Sequence, residues 1–484
     1  VIAIVVSRAD EASEHIGERL LEAGSWTEHE DLDRPEEVGG GTYYRTRGFE
    51  LRTFEELHIY LDDPSVAFDD PALLVFVSRH RGETGPLLTA HVTGNFGPAE
   101  YGGDPGALAH APPGAEKRVV EALAEHAPDG YDVGIECTHH GPTDVTVPSM
   151  FVELGSGESE WADPAGARAV ARAVLELGGD REVQDGNKHG ARENPYEHVP
   201  ADLRGEDDVP RHIVGFGGGH YAPRFTRIVR ETEWAVGHVA ADWALAEMGP
   251  PGENAALVAR AFERSNAELA VIEGDRPALA ATVEDLGYRV VSETWIREVE
   301  DRPQRLIATL EAELTAVDEG LRFGDVVPPA HGTDPIEGLR VRTLPGDLLA
   351  RAQGIDATAT RAAVERHTVA FETEQAGTRA AGRAVFLATE AGGGEDGWSD
   401  PMRALIVDLA TVLEDRYERV EVDFEGGVVV ARESAFDPTL AAERGVPEGP
   451  AFGRLSAGES VVVDGEPIEP DAVTRESVDR FPIG

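Results

Sequence analysis

Uninterrupted apolar runs alternate with amphipathic stretches over about the first 295 residues of the chain. Val1–Ser7 (VIAIVVS), ALLVFVSRH (72–80), LLTAHVTGN (87–95), YDVGIEC (131–137), MFVELGS (150–156) and HIVGFGGG (212–219) each read as a strand buried on both faces. Between them lie helical patterns. Asp10–Ala23 places Ile16 and Leu20 on one face and ends at Gly24. Asp163–Leu177 has Asp163 as N-cap, Pro164 at the first helical position and Val170, Val174 and Leu177 on one face. Alternating strands and helices predict a mainly parallel sheet covered by helices, an α/β fold. After about Glu300 the texture changes: a helix over Gln304–Glu319 leads into an α+β region that runs on to residue 484. Two polar stretches break the pattern, a surface excursion at 178–210 and a flexible loop at 390–401 (EAGGGEDGWSDP).

At 484 residues the chain exceeds what one core supports, so two or three domains are expected. Its charge is extreme, 91 Asp plus Glu against 43 Lys plus Arg, for a formal net charge of −48. The acids are scattered among periodic apolar positions, which excludes a disordered acidic tail. Only two of the 43 basic residues are lysines, Lys117 and Lys188. Such a surface suits molar salt, where screening shortens the Debye length to ~3 Å. It therefore says little about partners. The single cysteine, Cys137, excludes an internal disulfide and a Cys-rich zinc site. No apolar run reaches the ~18 residues of a membrane span. The first residues read as a strand rather than a leader, so a cytoplasmic protein is expected; a monomer is the expected state.

Chemistry gathers where the apolar runs end: SRH (78–80), HVTGN (91–95), ECTHHGP (136–142), VELGSGE (152–158) and GFGGGHYAP (215–223). In open α/β sheets ligands bind at the carboxyl ends of parallel strands. Parallel strands would bring His91, Asn95, Glu136, His139, His140, Glu153 and His220 to one crevice. GFGGGHYAP is no dinucleotide fingerprint, since His220 stands where the third glycine belongs, and no P-loop occurs. Its glycines either form a plain turn or offer amides to an oxyanion. Adjacent His139 and His140 point opposite ways on extended backbone, so one can bind a metal or substrate while the other fixes the turn, or both serve a polar loop. With one thiol in the chain, a zinc here takes His, Asp or Glu. Glu136 and Glu153 end apolar runs, where a carboxylate needs a partner: a metal, a histidine, or an ion pair to Arg79 or Arg224. His238, in WAVGHVAADWAL, falls in a helical pattern as core or crevice wall.

These segments, together with W-x-D and ETEWAVGHVAADWAL, resemble in order and spacing the archaeal and plant type of D-aminoacyl-tRNA deacylase, over residues 1–297. The resemblance implies a three-layer α/β/α fold akin to peptidyl-tRNA hydrolases and nucleoside phosphorylases. It implies hydrolysis of the ester of D-aminoacyl-tRNA at the tRNA 3′ end, with zinc as cofactor and no DNA or membrane partner. The matching positions are His91, Gly94, Asn95, Glu136, Thr138, His139, His140, Gly141, Pro142, Glu153, Gly217, Gly218, His220, Tyr221 and His238. The family pattern does not separate ligands from acid or base groups: His139 or His140, with His91 or His220, are the candidate ligands and Glu136 the base or its support. The assignment taken is metal ligands at His91, His139 and His220, with catalytic roles for Glu136, His140 and Glu153. Substrate contacts follow at Asn95, Thr138, Gly217, Gly218, Gly219, Tyr221 and His238. A zinc-activated water is the expected nucleophile. Alternatives are a metal-free esterase like peptidyl-tRNA hydrolases, a phosphorylase using GFGGG for phosphate, and a non-catalytic tRNA-binding module. Residues 298–484 form an α+β extension of unknown role. Within it, 441–473 resembles a C-terminal segment of tRNA 3′-processing ribonucleases, whose zinc motif H-x-H-x-D-H is absent.

Overall fold

The computed structural model describes residues 1–178, 210–300, 302–328, 338–388 and 400–484. Apart from their ends, the stretches at 178–210 and 390–401 lie outside the described residues. The chain divides into two compact units, Val1–Gln304 and Arg305–Gly484.

The first unit contains two sheets. Strands β1 (Ile2–Ser7), β2 (Thr27–Asp31), β3 (Gly41–Thr46), β4 (Phe49–Phe54), β5 (Leu73–Arg79), β6 (Leu87–Val92), β7 (Asp132–Ile135) and β8 (Ser149–Gly155) form the larger, in the order β2-β3-β4-β1-β5-β8-β6-β7. Its centre, β4-β1-β5-β8, is parallel. All six β1 side chains and all seven of β8 are buried, which explains why these strands read as continuous apolar runs. Helices α1 (Glu11–Ala23), α2 (Pro113–His126), α3 (Glu158–Trp161) and α4 (Pro164–Glu176) belong with this sheet. Asp10 caps α1 by accepting the amides of Ala12 and Ser13, while Ile16 and Leu20 are fully buried. Each such aliphatic side chain contributes about 1.5–3 kcal/mol. Asp163 caps α4, with Pro164 opening it.

One strand departs from the expected direction. β6 runs antiparallel to β8 and parallel to β7. The carboxyl ends named above are thus not all on one rim.

The smaller sheet is wholly parallel, with β9 (His212–Phe216), β10 (Ala235–Ala240), β11 (Leu269–Ile272) and β12 (Arg289–Val290) in the order β10-β9-β11-β12. Its helices are α5 (Pro223–Glu231), α6 (Asp242–Met248), α7 (Ala255–Ser265), α8 (Pro277–Asp285) and α9 (Glu293–Val299). The helical pattern expected around His238 is strand β10; the helix begins only at Asp242.

The second unit is α+β. Four antiparallel strands, Leu321–Phe323, Ala370–Glu374, Arg379–Leu387 and Leu339–Thr343, form a sheet, and helices Gly346–Ile355, Ala357–His367 and Asp400–Leu413 share its core. The helix expected over Gln304–Glu319 stops at Glu313, and a separate 3₁₀ turn covers Val317–Glu319. Among the described residues no helix is long and apolar enough to cross a membrane.

Candidate active site: histidines and carboxylates between two sheets

Pairing of β6 with β8 sets Thr89 opposite Glu153 and His91 opposite Phe151, so all four side chains share one face. The ring of His91 stacks on Phe151 at 5.2 Å. Beyond β7 the chain carries Glu136 against this face, where its Oε1 accepts the Thr89 hydroxyl at 2.5 Å. It then crosses to the smaller sheet: the amide of Cys137 donates to His220 and that of Thr138 to Val239. The ECTHHGP segment is therefore the seam between the sheets.

Three imidazoles meet at this seam. Ring centroids of His91 and His139 lie 4.3 Å apart, His139 and His140 4.3 Å, and His91 and His140 4.8 Å. Each is held through Nδ1 by a main-chain carbonyl: His91 on Val92 at 3.2 Å, His139 on Cys137 at 2.8 Å and His140 on Gly141 at 2.8 Å. A carbonyl can only accept, so Nδ1 carries a proton in each, and a neutral ring then keeps its lone pair on Nε2. His91 Nε2 is buried and has no hydrogen-bond partner among the described residues. One ligand atom from each of the three can lie within 4.8 Å of the others. Burial, then the His91 charge, lowers the pKa of His140 to about 4; burial, then His91 and His140, holds His139 well below its ordinary value. Burial disfavours charge on His91 too, but Glu153 Oε1 at 3.5 Å raises its pKa.

Beside this triad stand two carboxylates and a histidine absent from the expected set. His80 Nδ1 is 3.1 Å from Glu136 Oε1 and 3.5 Å from Glu153 Oε2. Against the penalty of burial, those two carboxylates raise its pKa to about 11, so it is a fixed cation. Burial pushes Glu136 upward, but His220 Nε2 at 2.7 Å and His80 hold it well below the usual carboxylate range. Glu153 is lowered likewise by His80 and His91 against burial. The ion pairs to Arg79 or Arg224 do not form: Arg224 meets Glu293, and Arg79 lies over Trp161. His80 was visible in the sequence as the end of SRH. Its reach to both carboxylates depends on β5 pairing with β8, which no local pattern carries.

His220 and Tyr221 border the cluster. The Tyr221 hydroxyl is 3.3 Å from His80 Nε2, and the His139 and His220 rings are 4.6 Å apart. Other residues expected to contact substrate make hydrogen bonds within the frame. His238 is fully buried: Nε2 donates to the Ala109 carbonyl at 2.9 Å, and Nδ1 accepts the Thr138 hydroxyl at 3.1 Å. Thr138 also accepts the Val239 amide, so both side chains stitch the seam. Asn95 donates to the carbonyls of Gly102 and Asp104, bracing the loop whose Tyr101 carbonyl holds Gly141. The amides of Gly217 and Gly218 donate to Ala240 and to the Asp242 carboxylate, so neither is available to an oxyanion. Gly217 adopts φ +95, and a Cβ there would stand 2.5 Å from the Glu273 carbonyl. Around Gly219 the space is open.

Residues 67–291 match the family model for D-aminoacyl-tRNA deacylase. The chain is 61% identical to the D-aminoacyl-tRNA deacylase of Halorubrum lacusprofundi, over 100% of this chain and 97% of that protein. It is 49% identical to that of Natronomonas pharaonis, over 99% and 100%. The same-named protein of Methanosphaerula palustris is 34% identical over 83% of this chain and 82% of its own length. A solved structure described as a conserved protein of unknown function is 29% identical with a TM-score of 0.50, covering 62% of this chain and 98% of that one. With identity this high along its whole length, the chain belongs to the D-aminoacyl-tRNA deacylase family.

Proposed function

We propose that the seam between the sheets hydrolyses the ester linking a D-amino acid to the 3′ end of tRNA, with zinc held by His91, His139 and His140. The observation that carries the metal reading is the set of three imidazoles, each anchored through Nδ1 on a carbonyl, with a ring nitrogen of each within 4.8 Å of the others. This is how protein frames orient metal-ligating histidines. His91 Nε2, buried without a well-formed hydrogen bond and with Glu153 Oε1 at 3.5 Å, fits the same reading. Glu136 and Glu153, both held ionised, put carboxylate charge beside the imidazoles, a setting that suits a dication. Relative to the sequence expectation, His140 joins the ligands and His220 moves to Glu136.

Zinc in such a site supplies Lewis acidity, which makes water nucleophilic near neutral pH and polarises an ester carbonyl. The remaining work belongs to the chain. Glu153 Oε1, 3.5 Å from His91 Nε2, takes the proton lost by the attacking water. Glu136, kept ionised, orients His80 and His220. The Nε2 proton shared by His220 and Glu136 at 2.7 Å goes to the departing 3′-oxygen. Tyr221, bonded to His80, lines the entry.

The same reading takes residues 1–297 as the catalytic domain, with the three-layer likeness to peptidyl-tRNA hydrolases and nucleoside phosphorylases, and 298–484 as an extension. It pictures a cytoplasmic monomer acting on the aminoacylated tRNA end. The test is hydrolysis of D-Tyr-tRNA and L-Tyr-tRNA in high KCl, with and without chelator. Turnover of the D form alone, lost on chelation and restored by zinc, is expected. Equal turnover of both forms would sink the chiral reading, and indifference to chelator the metal.

A further inference from the structure

Behind the glycine-rich turn lies a cavity of about 380 Å³, lined by Arg224, Arg297, Ser292, Glu293 and Thr294 over the end of β11. Three guanidiniums converge here on one carboxylate. Arg224 and Arg227 each reach Glu293 Oε2 at 3.4 Å, and Arg297 reaches Glu293 Oε1 at 3.1 Å and Glu231 at 2.7 Å. The arginine side chains are 33%, 49% and 39% exposed, and Glu293 only 19%, so the cations face the solvent side. In a chain with 91 acids and 43 bases, three arginines against two carboxylates make a local excess of positive charge.

This spot is rigidly tied to the reaction centre. Arg224 follows His220 by four residues, a backbone span of at most about 14 Å. Between Arg224 and Arg227 on α5, the Thr226 hydroxyl accepts the amide of Ile135, the residue before Glu136. A ligand crossing from His220 to Arg224 needs only the reach of a short single strand.

Resting on the deacylase reading above, we infer that the cavity lined by Arg224 and Arg297, with Arg227 beside it on Glu293, is a subsite for a backbone phosphate of the single-stranded 3′ end of tRNA. A guanidinium fork meets a phosphate through two parallel hydrogen bonds. At molar salt a diffuse positive field is screened beyond ~3 Å, so contact-range pairs of this kind are what remains effective. Exposed Thr294 adds a hydroxyl at the rim, while the Ser292 hydroxyl caps α9 on the Trp295 amide. Phosphate entry redistributes the three arginines, leaving Glu293 to orient them.

The competing view is that these arginines only clamp α5 to α9. The full-length protein in high KCl, assayed on D-Tyr-tRNA and on D-tyrosyl-adenosine, separates the two, because the second substrate has the same ester and no phosphate. Arg224→Gln combined with Arg297→Gln is expected to raise KM for the tRNA about tenfold, and to flatten its dependence on KCl by about one counterion. Turnover of the nucleoside ester should fall less than twofold. Thr294→Glu, an exposed change that leaves every arginine in position, should raise KM for the tRNA alone. Equal losses on both substrates, or an unmoved KM in both variants, would overturn the subsite. Failure of the unaltered protein to hydrolyse D-Tyr-tRNA would refute the deacylase reading instead.

Discussion

Two kinds of buried histidine lie side by side in this protein, and they differ in what the second ring nitrogen does. In His91, His139 and His140, Nδ1 is spent on a carbonyl, no second hydrogen bond ties Nε2 of His91, and a ring nitrogen of each lies within 4.8 Å of the others. In His238 both nitrogens are consumed, one by Ala109 and one by Thr138. The residue type is the same; His91 and His238 are equally buried, and His139 and His140 somewhat less so. Satisfaction of the second nitrogen separates a side chain that can act from one that holds the fold, because an unsatisfied buried polar atom costs free energy unless something fills its place.

His139→Ala tests the first kind most severely. It should abolish zinc retention, read by metal analysis of the purified protein, and reduce deacylation to background. His238→Ala should retain zinc under the same analysis. If both variants lose metal equally, the distinction collapses. Glu136→Gln comes next. Its charge fixes His80 and His220, so deacylation should fall about 10²–10⁴-fold. Zinc affinity should weaken by no more than about 10–100-fold, as for groups that orient ligands. A variant with full activity would remove Glu136 from the chemistry.

How much of this was legible beforehand follows from which interactions are local. Fully buried strands such as β1, β5 and β8 announce themselves as apolar runs, and the caps Asp10 and Asp163 mark their helices within four residues of sequence. Strand direction is non-local. β6 reads the same run parallel or antiparallel, and only its pairing with β8 brings Thr89 to Glu153 and His91 to Phe151. The carboxylates stood out as costly residues at the ends of apolar runs, yet their partner proved to be His80 rather than an arginine. The glycine-rich turn looked like a donor of amides, and its first two amides are occupied by Ala240 and Asp242, residues far away in sequence. His238 was read as helical because β10 runs almost directly into α6, and the joined apolar positions blur two periods into one.

The smallest expected effect lies in pH dependence, and it sharpens the same contrast. Burial, against the Ala109 hydrogen bond, lowers the pKa of His238 from 6.5 to about 4. Its folded value lies below its unfolded one, so the stability it contributes is full above 6.5 and is lost as pH falls toward 4. His80 is the opposite case, raised from 6.5 to about 11 by Glu136 and Glu153 against burial. Its contribution is full below 6.5 and fades as pH rises toward 11. Thermal unfolding in constant high KCl should thus show His238→Ala destabilised by about 3 kcal/mol at neutral pH, from two lost hydrogen bonds and a cavity. That deficit should shrink toward acid pH, while the deficit of His80→Gln shrinks toward alkaline pH. Parallel curves for the two variants would mean that the carboxylates do not hold a charge on His80.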